Sequence, residues 1–396
     1  MKQLEVILKT VERCNINCSY CYMFNMGDKT YDNRPPYMSE NVAVGIVNFL
    51  KKGCVDLGVS TLFISFHGGE PMMQKKSSFE FFCKLFYEEL SPVVDVDLYL
   101  HTNAMLIDDE WLELFHKYNV GVGVSVDGVK EHHDVYRRDK QGRGTYDRVV
   151  EGIRKLSSNH FIKEMGHYGL LCVVNPEHDA KQIYRHFVDE LDAKCIDFLL
   201  PHCNHDVKPG LDPIKYGEFL LAIFNEWIED DDPSIYVRFI SSMLDILFNR
   251  KSHYMYGVGS NNSGDIPIIC INSDGSLGPT DEFRTTSTEI YYTNSNVNNT
   301  TLEKYLSIPL FQEIAFALEN VHEDCKKCEW VKICRGGSIT NRFSIKNGFN
   351  NASVYCEGLK VFYRGVLDYL KENTSFDERQ IISKFGNVFL GETDIP

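Results

Sequence analysis

The sequence RCNINCSYCYMFN at residues 13–25 follows the apolar segment Leu4–Lys9 and contains three cysteines, Cys14, Cys18 and Cys21. Each of the four irons in a [4Fe–4S] cluster is normally bound by a cysteine thiolate, so a loop with three cysteines leaves one iron open to another ligand. Zinc is the alternative occupant, but zinc sites favour four protein ligands from paired C-x2-C elements. The loop therefore predicts an iron–sulfur cluster with one open iron where chemistry can occur.

The composition is that of an ordinary soluble globular protein. The 396 residues are 43% hydrophobic and 24% charged, and the net charge is −15. Phosphate groups would repel this acidic chain, which argues against nucleic acid or an anionic membrane as a partner. The chain starts without a signal-peptide pattern, no apolar run approaches the roughly 20 residues that span a bilayer, and thirteen cysteines suit metal ligation in a reducing compartment. We therefore expect a cytoplasmic protein.

Short β-branched segments alternate with amphipathic segments through the first half of the chain. Parallel strands need crossover connections, which are usually helices, so this alternation predicts an α/β fold with a parallel sheet. Six strands suggest a partial (β/α)6 relative of the TIM barrel, in which active sites lie at the C-terminal ends of the strands. The predicted strands are Leu4–Lys9, Leu62–His67, Val94–His101, Gly121–Val126, Tyr168–Val174 and Cys195–Pro201. The predicted helices are Ser39–Lys52, Ser77–Leu90, Asp108–Tyr118, Thr145–Leu156 and Ala180–Leu191.

The amino-acid composition changes after two further predicted helices, Pro213–Glu229 and Ile235–Asn249. From about Lys251 the chain is rich in Gly, Asn, Ser and Thr, and cysteines resume, which predicts a small loop-rich domain held by metal ligands. The predicted domains are residues 1–212 for the partial barrel, 213–250 for a helical linker, 251–372 for the loop-rich domain and 373–396 for a C-terminal tail.

Four late cysteines have the spacing of metal ligands. EDCKKCEWVKICRGG at residues 323–337 contains Cys325, Cys328 and Cys334, and Cys356 completes the pattern C-x2-C-x5-C-x21-C. Four thiolates can close a site around zinc or around a [4Fe–4S] cluster. The spacing alone leaves both occupants open.

The spacing C-x3-C-x2-C followed by an aromatic residue resembles the signature of radical S-adenosylmethionine (SAM) enzymes. The resemblance implies that Cys14, Cys18 and Cys21 hold a [4Fe–4S] cluster whose open iron binds SAM and cleaves it to a 5′-deoxyadenosyl radical. Several longer stretches together resemble cyclophane-forming radical SAM/SPASM peptide maturases and, more distantly, sulfatase-maturing enzymes. These stretches are residues 14–40, 66–71 (FHGGEP), 101–111 (HTNAMLIDDEW), 125–146 and 334–360, with GDKTYDNRPPYMS and NRFSIKNGFNNASVYC the most specific parts.

The resemblance also implies a set of SAM contacts at the ends of successive strands. The GGEP run is expected to receive the amino group of the methionine part, because glycines let carbonyl oxygens approach a ligand and a carboxylate favours an ammonium. A family arginine grips the methionine carboxylate, and the fork of a guanidinium suits that task. The implied cofactor-binding residues are Gly68, Gly69, Glu70, Asn103, Ser125, Asp127 and Arg137.

The late cysteines resemble the SPASM extension, which usually holds two auxiliary clusters on seven cysteines. This chain departs from that pattern, because Thr280 and Ser338 stand where the first auxiliary cluster would have ligands. Cys270 is then expected to be a buried thiol. The resemblance therefore implies one auxiliary [4Fe–4S] cluster, closed by Cys325, Cys328, Cys334 and Cys356.

Asp281 follows the position of a missing cysteine ligand, in GPTDEF at residues 278–283. In sulfatase-maturing relatives the matching aspartate accepts a proton, so Asp281 is the candidate general base, weighed against an ordinary loop carboxylate. His67 and His101 end predicted strands, and both are expected to be structural histidines.

The resemblance implies a radical SAM oxidoreductase, a peptide cyclase that joins an aromatic ring carbon to a nearby Cβ in a ribosomally made precursor peptide. The alternatives are a sulfatase-maturing-type Cys or Ser oxidase, another peptide maturase that forms thioethers or epimerises residues, and a non-catalytic zinc-stabilised binding protein. The expected partners are the precursor peptide and a reductant such as flavodoxin or ferredoxin. With only 13 residues before Cys14, leader recognition is expected at the barrel edge, at the tail or by a separate protein.

Overall fold

The computed structural model describes residues 3–160, 162, 168–248 and 267–373. Its strands are β1 (Gln3–Val11), β2 (Thr61–Gly68), β3 (Asp95–Thr102), β4 (Gly121–Ser125), β5 (Tyr168–Val173), β6 (Cys195–Leu199), β7 (Tyr236–Val237), β8 (Ile268–Ile271), β9 (Ser276–Gly278) and β10 (Ser295–Asn296).

The helices alternate with the strands through the first half of the chain and dominate the second half. They are α1 (Glu40–Leu57), α2 (Lys76–Leu90), α3 (Asp109–Lys117), α4 (Lys130–Tyr136), α5 (Tyr146–Ser158), α6 (Ala180–Arg185), α7 (Pro213–Asp230), α8 (Arg238–Leu247), α9 (Thr288–Tyr291), α10 (Leu302–Leu306), α11 (Pro309–Glu319), α12 (Glu323–Lys326), α13 (Val331–Cys334) and α14 (Cys356–Asn373). No helix among the described residues is long and apolar enough to cross a membrane.

The chain divides into two compact units. The first contains Met1–Cys172, His186–Lys194 and Ile266–Glu313, and the second contains Val173–Arg185, Cys195–Asp265 and Ile314–Pro396. In the first unit the strands lie in the order β10-β9-β8-β1-β2-β3-β4-β5. The pairs from β8 through β1 to β5 are parallel, and β9 and β10 are antiparallel to their neighbours.

The first unit is built around β1, which is buried along most of its length as a strand covered on both faces should be. The next element, α1, starts where the Ser39 hydroxyl accepts a hydrogen bond from the Val42 amide, and it stops at Gly58 with φ +61°. Lys9 and Thr10 are also buried in β1, although both are polar. These buried polar residues mark the end of the strand that leads into the cysteine loop.

The second unit contains the parallel pair β6–β7 and the helices α7 and α14. These helices cross closely at Gly217 and Gly358, since a Cβ added at Gly217 would lie 1.9 Å from the Gly358 carbonyl oxygen. Cys356 is the first residue of α14 and is therefore positioned by this helix pair.

The predicted α/β fold with a parallel sheet is confirmed, and all six predicted strands are present. The helix predicted at Ala180–Leu191 is instead α6 followed by a π-helical turn at His186–Glu190. The helix predicted from Ile235 begins at Arg238, after the short strand β7. The sequence analysis missed α4, the strands β8, β9 and β10, and the helices α9 to α14, which lie in the region predicted to be loop-rich.

The predicted domain boundaries remain a prediction. The C-terminal tail from residue 374 lies outside the described residues, as does the beginning of the predicted loop-rich domain at residues 251–266.

Candidate functional site

The cysteine loop after β1 brings three sulfur atoms onto one compact turn. Cys14 and Cys18 are buried with Ile16 between them, and Cys21 packs against this group. The loop is tied to the segment after β4, because the Asn17 amide donates to the Arg138 carbonyl at 2.7 Å. The three predicted ligands of the open cluster therefore lie together on a loop that is hydrogen-bonded to the segment after β4.

The two glycines of the GGEP run are explained by the close approach of the chain itself. A Cβ added at Gly68 would lie 2.0 Å from the Val11 carbonyl oxygen, and one added at Gly69 would lie 2.1 Å from the Arg13 carbonyl oxygen. Gly68 also has φ +134°, a conformation that favours glycine. The glycines thus allow the start of the cysteine loop to pack directly on the end of β2.

Glu70 is buried, and its carboxylate joins the ends of β2 and β3. It accepts hydrogen bonds from the Met72 amide at 3.0 Å, the Thr102 hydroxyl at 2.8 Å and the Asn103 amide at 2.8 Å. Burial raises the pKa of Glu70 to about 7, although these hydrogen bonds oppose the rise. Both carboxylate oxygens of Glu70 therefore accept hydrogen bonds from the protein, and Glu70 stabilises the arrangement of the two strand ends.

Asn103 connects this strand end to the cysteine loop. Its side-chain amide donates to the Asn15 side chain at 2.7 Å and lies 4.0 Å from the Cys14 sulfur. A donor beside a sulfur is suited to a thiolate, which carries negative charge when it binds a metal. The structure therefore brings Glu70, Asn103 and Cys14 together, as the order of motifs predicts.

Arg137 and Asp127 form a buried ion pair beside Cys18. The Arg137 Nε donates to Asp127 Oδ2 at 2.9 Å, and Nη1 lies 3.9 Å from the Cys18 sulfur. The Tyr20 hydroxyl donates to the same Asp127 oxygen, and the guanidinium lies 5.5 Å from the centre of the Tyr20 ring. Asp127 thus positions Arg137, while Ser125 is half-buried at the end of β4.

His133 is a buried neutral histidine behind this ion pair. Its Nδ1 accepts from the Asp127 amide at 3.3 Å, and its Nε2 lies 3.0 Å from the Thr145 hydroxyl, which donates to the Arg137 carbonyl at 2.7 Å. Burial, and then the nearby Arg137 charge, lower the pKa of His133 to about 4. Protonation would place a second donor at Nδ1, against the Asp127 amide.

The protein is expected to lose stability in acid through His133. The unfolded chain binds this proton near pH 6.5 and the folded chain near pH 4, so the free energy of unfolding should fall as the pH decreases through that window, by up to about 3 kcal/mol. Anaerobic urea unfolding between pH 7.5 and pH 4 measures the change. His133→Gln should flatten this part of the profile, and an unchanged slope in the variant would contradict the assignment.

Asp281 lies in the first unit at the start of a 3-10 turn and is buried. Its Oδ2 accepts hydrogen bonds from the Lys9 ammonium and from the Tyr22 hydroxyl, the latter at 2.6 Å. Burial alone raises the pKa of Asp281, but the Lys9 charge and the two hydrogen bonds outweigh burial and hold that pKa well below its usual range. Tyr22 follows Cys21 directly, so the candidate base is tied to the cysteine loop.

Cys270 is a fully buried thiol in β8, as expected for a cysteine without partner ligands. It accepts a hydrogen bond from the Tyr291 hydroxyl at 3.2 Å. Arg284 donates to that hydroxyl at 2.7 Å and is ion-paired with Asp28. A polar network of the chain's own side chains therefore surrounds Cys270.

The four late cysteines lie in the second unit, on three neighbouring elements. Cys325 is in α12, Cys328 follows it, Cys334 ends α13, and Cys356 begins α14. Burial, and then the neighbouring Cys356, raise the pKa of Cys334 to about 12. The backbone at residues 335–337 turns sharply with three positive φ values, which lets the chain fold back after Cys334.

Arg342 is a buried cation near this second cysteine group. Its Nε and Nη2 donate to the carbonyl oxygens of Asn351 and Ala317, whereas Nη1 is buried and has no hydrogen-bond partner among the described residues. Burial lowers the pKa of Arg342, and Cys325 and Cys334 oppose that effect. A cluster sulfide or thiolate is the kind of acceptor that would satisfy this donor, so the donor set fits an anionic iron–sulfur group.

The first cysteine loop also has sulfur ligands and nearby donors that suit an iron–sulfur cluster. Burial raises the pKa of the Cys18 thiol to about 11, with Arg137 opposing the rise, and burial also raises the pKa of Cys14 and Cys21. Such thiols stay protonated until a cationic group replaces the protons, which is how metal binding couples to deprotonation. The three sulfurs with the nearby donors of Asn103 and Arg137 suit a cluster.

Across residues 3–160, 162, 168–248 and 267–373, no three His, Cys, Asp or Glu side chains converge closely enough to hold a single metal ion. Four thiolates around one zinc must each reach it through a bond of about 2.3 Å, whereas thiolates on the corners of a four-iron cluster lie further apart. The fit of each cysteine group therefore rests on its sulfur donors and their polar neighbours.

Sequence reasoning missed Lys9, Tyr20 and Tyr22, and it assigned His67 a structural role. The two tyrosines flank Cys21 in the cysteine loop, and Lys9 ends a run of buried apolar residues in β1. A lysine inside a strand covered on both faces is the signal that was available, because a buried lysine requires a partner.

Comparisons with known proteins identify the class of enzyme. Residues 8–186 match the family model of the Radical SAM superfamily. A cysteine-type anaerobic sulfatase-maturating enzyme of Clostridium perfringens is 26% identical over 377 residues, which cover 92% of this chain and 96% of that protein. A serine-type anaerobic sulfatase-maturating enzyme of Bacteroides thetaiotaomicron is 24% identical over 413 residues, which cover 93% of this chain and 91% of that protein.

A solved structure gives the same result. Native anSMEcpe with bound AdoMet matches this fold with a TM-score of 0.77 at 25% identity, covering 93% of this chain and 98% of that chain. The match extends well beyond the barrel strands into the C-terminal extension.

The prediction of a cyclophane-forming peptide cyclase is wrong. The relatives that match more than nine-tenths of the chain are sulfatase-maturating enzymes, the class that the sequence analysis held as an alternative. The stretches taken as most specific have structural roles: Asp28 is ion-paired with Arg284, and the Asn351 side chain donates to the Arg342 carbonyl at 2.8 Å. Residues that hold the scaffold together do not identify a reaction.

The cysteine loop, the strand ends that pack on it and the family match lead to one conclusion. Radical SAM enzymes use a [4Fe–4S] cluster and SAM, and the donor set around Cys14, Cys18 and Cys21 fits them. Residues 8–186 form a radical SAM domain, and the similarity to sulfatase-maturating enzymes over more than nine-tenths of the chain indicates an oxidoreductase.

Proposed function

We propose that this enzyme oxidises a cysteine or serine side chain of a peptide or protein substrate, as the sulfatase-maturating relatives are named for doing. The observation that carries the proposal is the buried carboxylate of Asp281, which is tied through Tyr22 to the cysteine loop. An oxidation that removes two hydrogens must release one of them as a proton, and a base beside the radical centre supplies the acceptor. Native anSMEcpe has been solved with bound AdoMet and the Cp18Cys peptide, which supports a peptide substrate.

The cofactors follow from the cysteine groups. Cys14, Cys18 and Cys21 would hold the open [4Fe–4S] cluster, and the late cysteines would hold one auxiliary [4Fe–4S] cluster. The first cluster and SAM, when bound, would supply the 5′-deoxyadenosyl radical that removes a hydrogen atom from the substrate carbon. The residues proposed to surround SAM are at the strand ends described above: Gly68, Gly69, Glu70, Asn103, Ser125, Asp127 and Arg137.

After the hydrogen atom is removed, the substrate radical must still lose one proton and one electron. A –CH2–SH side chain that has lost one hydrogen atom from carbon gives its thiol proton to Asp281 and loses one electron, which leaves a thioaldehyde. The late cysteines Cys325, Cys328, Cys334 and Cys356 would hold the auxiliary cluster, which would supply the one-electron acceptor. Water replaces the sulfur and releases hydrogen sulfide, so the final product is an aldehyde. A –CH2–OH side chain that has lost one hydrogen atom from carbon reaches the same aldehyde directly when its hydroxyl proton goes to Asp281 and one electron leaves to the same acceptor. Flavodoxin or ferredoxin is the proposed one-electron reductant for the open cluster.

The test uses anaerobically reconstituted protein, SAM, a reductant and the Cp18Cys peptide or its serine counterpart. The expected product is an aldehyde that reacts with a hydrazine probe and appears together with 5′-deoxyadenosine. A substrate that loses two hydrogens but keeps its fragments joined in tandem mass spectrometry would contradict the proposal, because it would contain a crosslink. A mixture in which 5′-deoxyadenosine accumulates without any aldehyde, even with several Cys and Ser peptides, would also count against it.

A further inference from the structure

Lys9 is a fully buried lysine at the centre of the candidate site, with a side-chain exposure of 0%. Its ammonium donates to Asp281 Oδ2 and lies 3.1 Å from His67 Nδ1. It also lies 5.6 Å from the centre of the Tyr22 ring. Lysine is almost never fully buried unless it is paired, so this residue requires a partner of opposite charge.

His67 is not that partner, because it is neutral. Its Nδ1 accepts a hydrogen bond from the Gly68 amide at 2.8 Å, which leaves the ring proton on Nε2. Burial, and then the Lys9 charge, lower the pKa of His67 to about 3. The ring therefore acts as an acceptor towards Lys9, and the positive charge of Lys9 is balanced by Asp281.

The two oxygens of the Asp281 carboxylate differ in their hydrogen bonds. Within the described part of the chain, Lys9 and Tyr22 both donate to Oδ2, and Lys9 is the one cation in an ion pair with this carboxylate. Oδ1 receives no hydrogen bond from these two residues and is the oxygen that a substrate group can use. The arrangement holds the carboxylate in one orientation.

We propose that Lys9 is a positioning residue for the proposed oxidation: it keeps Asp281 ionised and turned so that Oδ1 accepts the substrate proton. The inference rests on the proposed function and deepens it. In the step concerned, the thiol or hydroxyl proton of the substrate moves to Oδ1 after the substrate carbon has lost its hydrogen atom. The auxiliary cluster that the four late cysteines would hold would accept the electron, so charge and atoms balance.

The effect of Lys9 is expected to show in the pH dependence, because burial by itself favours the protonated acid. With Lys9 present, the pKa of Asp281 lies well below its usual range, so the base is ionised at every pH used for the assay. Without Lys9, burial should raise that pKa into the assay range. The charged and titratable groups that face or surround Asp281 are Lys9 on β1, His67 on β2, Tyr22 in the cysteine loop, Cys270 on β8 and Arg284 in its own turn. Arg284 is paired with Asp28.

The test is Lys9→Met, with the ratio of aldehyde product to 5′-deoxyadenosine measured from pH 6 to pH 9. The wild-type ratio should be flat, whereas the ratio of the variant should fall about tenfold for each pH unit below the raised pKa. Lys9→Arg keeps the charge and should restore a flat profile. Lys117→Met removes a lysine from an exposed ion pair with Glu80 and should keep the wild-type profile. A flat profile at the wild-type ratio in Lys9→Met would overturn the proposal.

A stability measurement keeps the inference testable if Lys9→Met folds poorly. Removal of Lys9 leaves a buried charge without its partner, whereas Lys9→Met/Asp281→Asn removes both charges. The double variant should therefore recover much of the Tm lost in Lys9→Met, measured anaerobically on iron-loaded protein. Two additive losses would overturn the proposed pairing. This result is independent of whether the wild-type enzyme makes an aldehyde, so it separates a failure of this inference from a failure of the proposed function.

Discussion

Replacing Cys14, Cys18 and Cys21 together with alanine is expected to abolish 5′-deoxyadenosine formation completely. These three sulfurs are the proposed ligands of the open cluster, and no SAM cleavage can occur without an open iron. The late cysteine group lies in the other unit and has its own set of donors, including Arg342. The iron content should therefore fall from about eight atoms per chain to about four, which colorimetric iron analysis and the visible spectrum measure.

The matched control for this experiment is Cys54→Ala. Cys54 is buried in α1, outside the proposed ligand sets, and its replacement should keep both the iron content and SAM cleavage. A triple variant that still forms 5′-deoxyadenosine at the wild-type rate would remove the basis for the assigned site. Loss of all iron in the triple variant would contradict an independent auxiliary cluster.

Asp281→Asn is expected to lower the yield of the aldehyde by about 100-fold to 10,000-fold, which is the usual contribution of a general base. An amide has nearly the shape of the carboxylate but cannot take the substrate proton. Hydrogen-atom abstraction does not need the base, so 5′-deoxyadenosine should still form in the presence of peptide. The ratio of aldehyde to 5′-deoxyadenosine, measured by liquid chromatography and mass spectrometry, is the quantity to follow.

Glu282→Gln is the control for Asp281→Asn, because it removes a carboxylate one residue away. It should keep the wild-type ratio. An Asp281→Asn variant that makes aldehyde as efficiently as the wild type would exclude Asp281 as the proton acceptor. Loss of 5′-deoxyadenosine along with the aldehyde would instead indicate that Asp281 is needed for cofactor binding.

The strands and helices around the cysteine loop were predictable because they depend on local patterns. Alternating β-branched and amphipathic segments have different periods, and a parallel sheet follows from their alternation. The strands β8, β9 and β10 were missed because they are two to four residues long and lie in a segment rich in turn residues. β8 pairs with β1, β9 with β8 and β10 with β9, so each of these strands depends on its neighbour in the sheet and not on its own composition.

The order of motifs predicts which residues contact the cofactor, but it does not predict the hydrogen-bond partners of those residues within the chain. Glu70 was expected to face an ammonium, and in the structure it accepts three hydrogen bonds from the chain itself. Gly68 and Gly69 were expected to allow close approach of a ligand, and in the structure they allow close approach of the backbone of Val11 and Arg13. These roles arise from contacts across many residues of sequence, which no local pattern encodes.

The sequence by itself predicted the class of enzyme, because the spacing of Cys14, Cys18 and Cys21 within one short loop resembles the signature of radical SAM enzymes. The tertiary structure alone decided how the candidate base is charged. Lys9 and Asp281 are 272 residues apart, and only the pairing of β8 with β1 and the turn that follows β9 bring them into one buried ion pair. The physical reason is that an ion pair in a low-dielectric interior depends on distance in space and on burial, and neither is written in the spacing of residues along the chain.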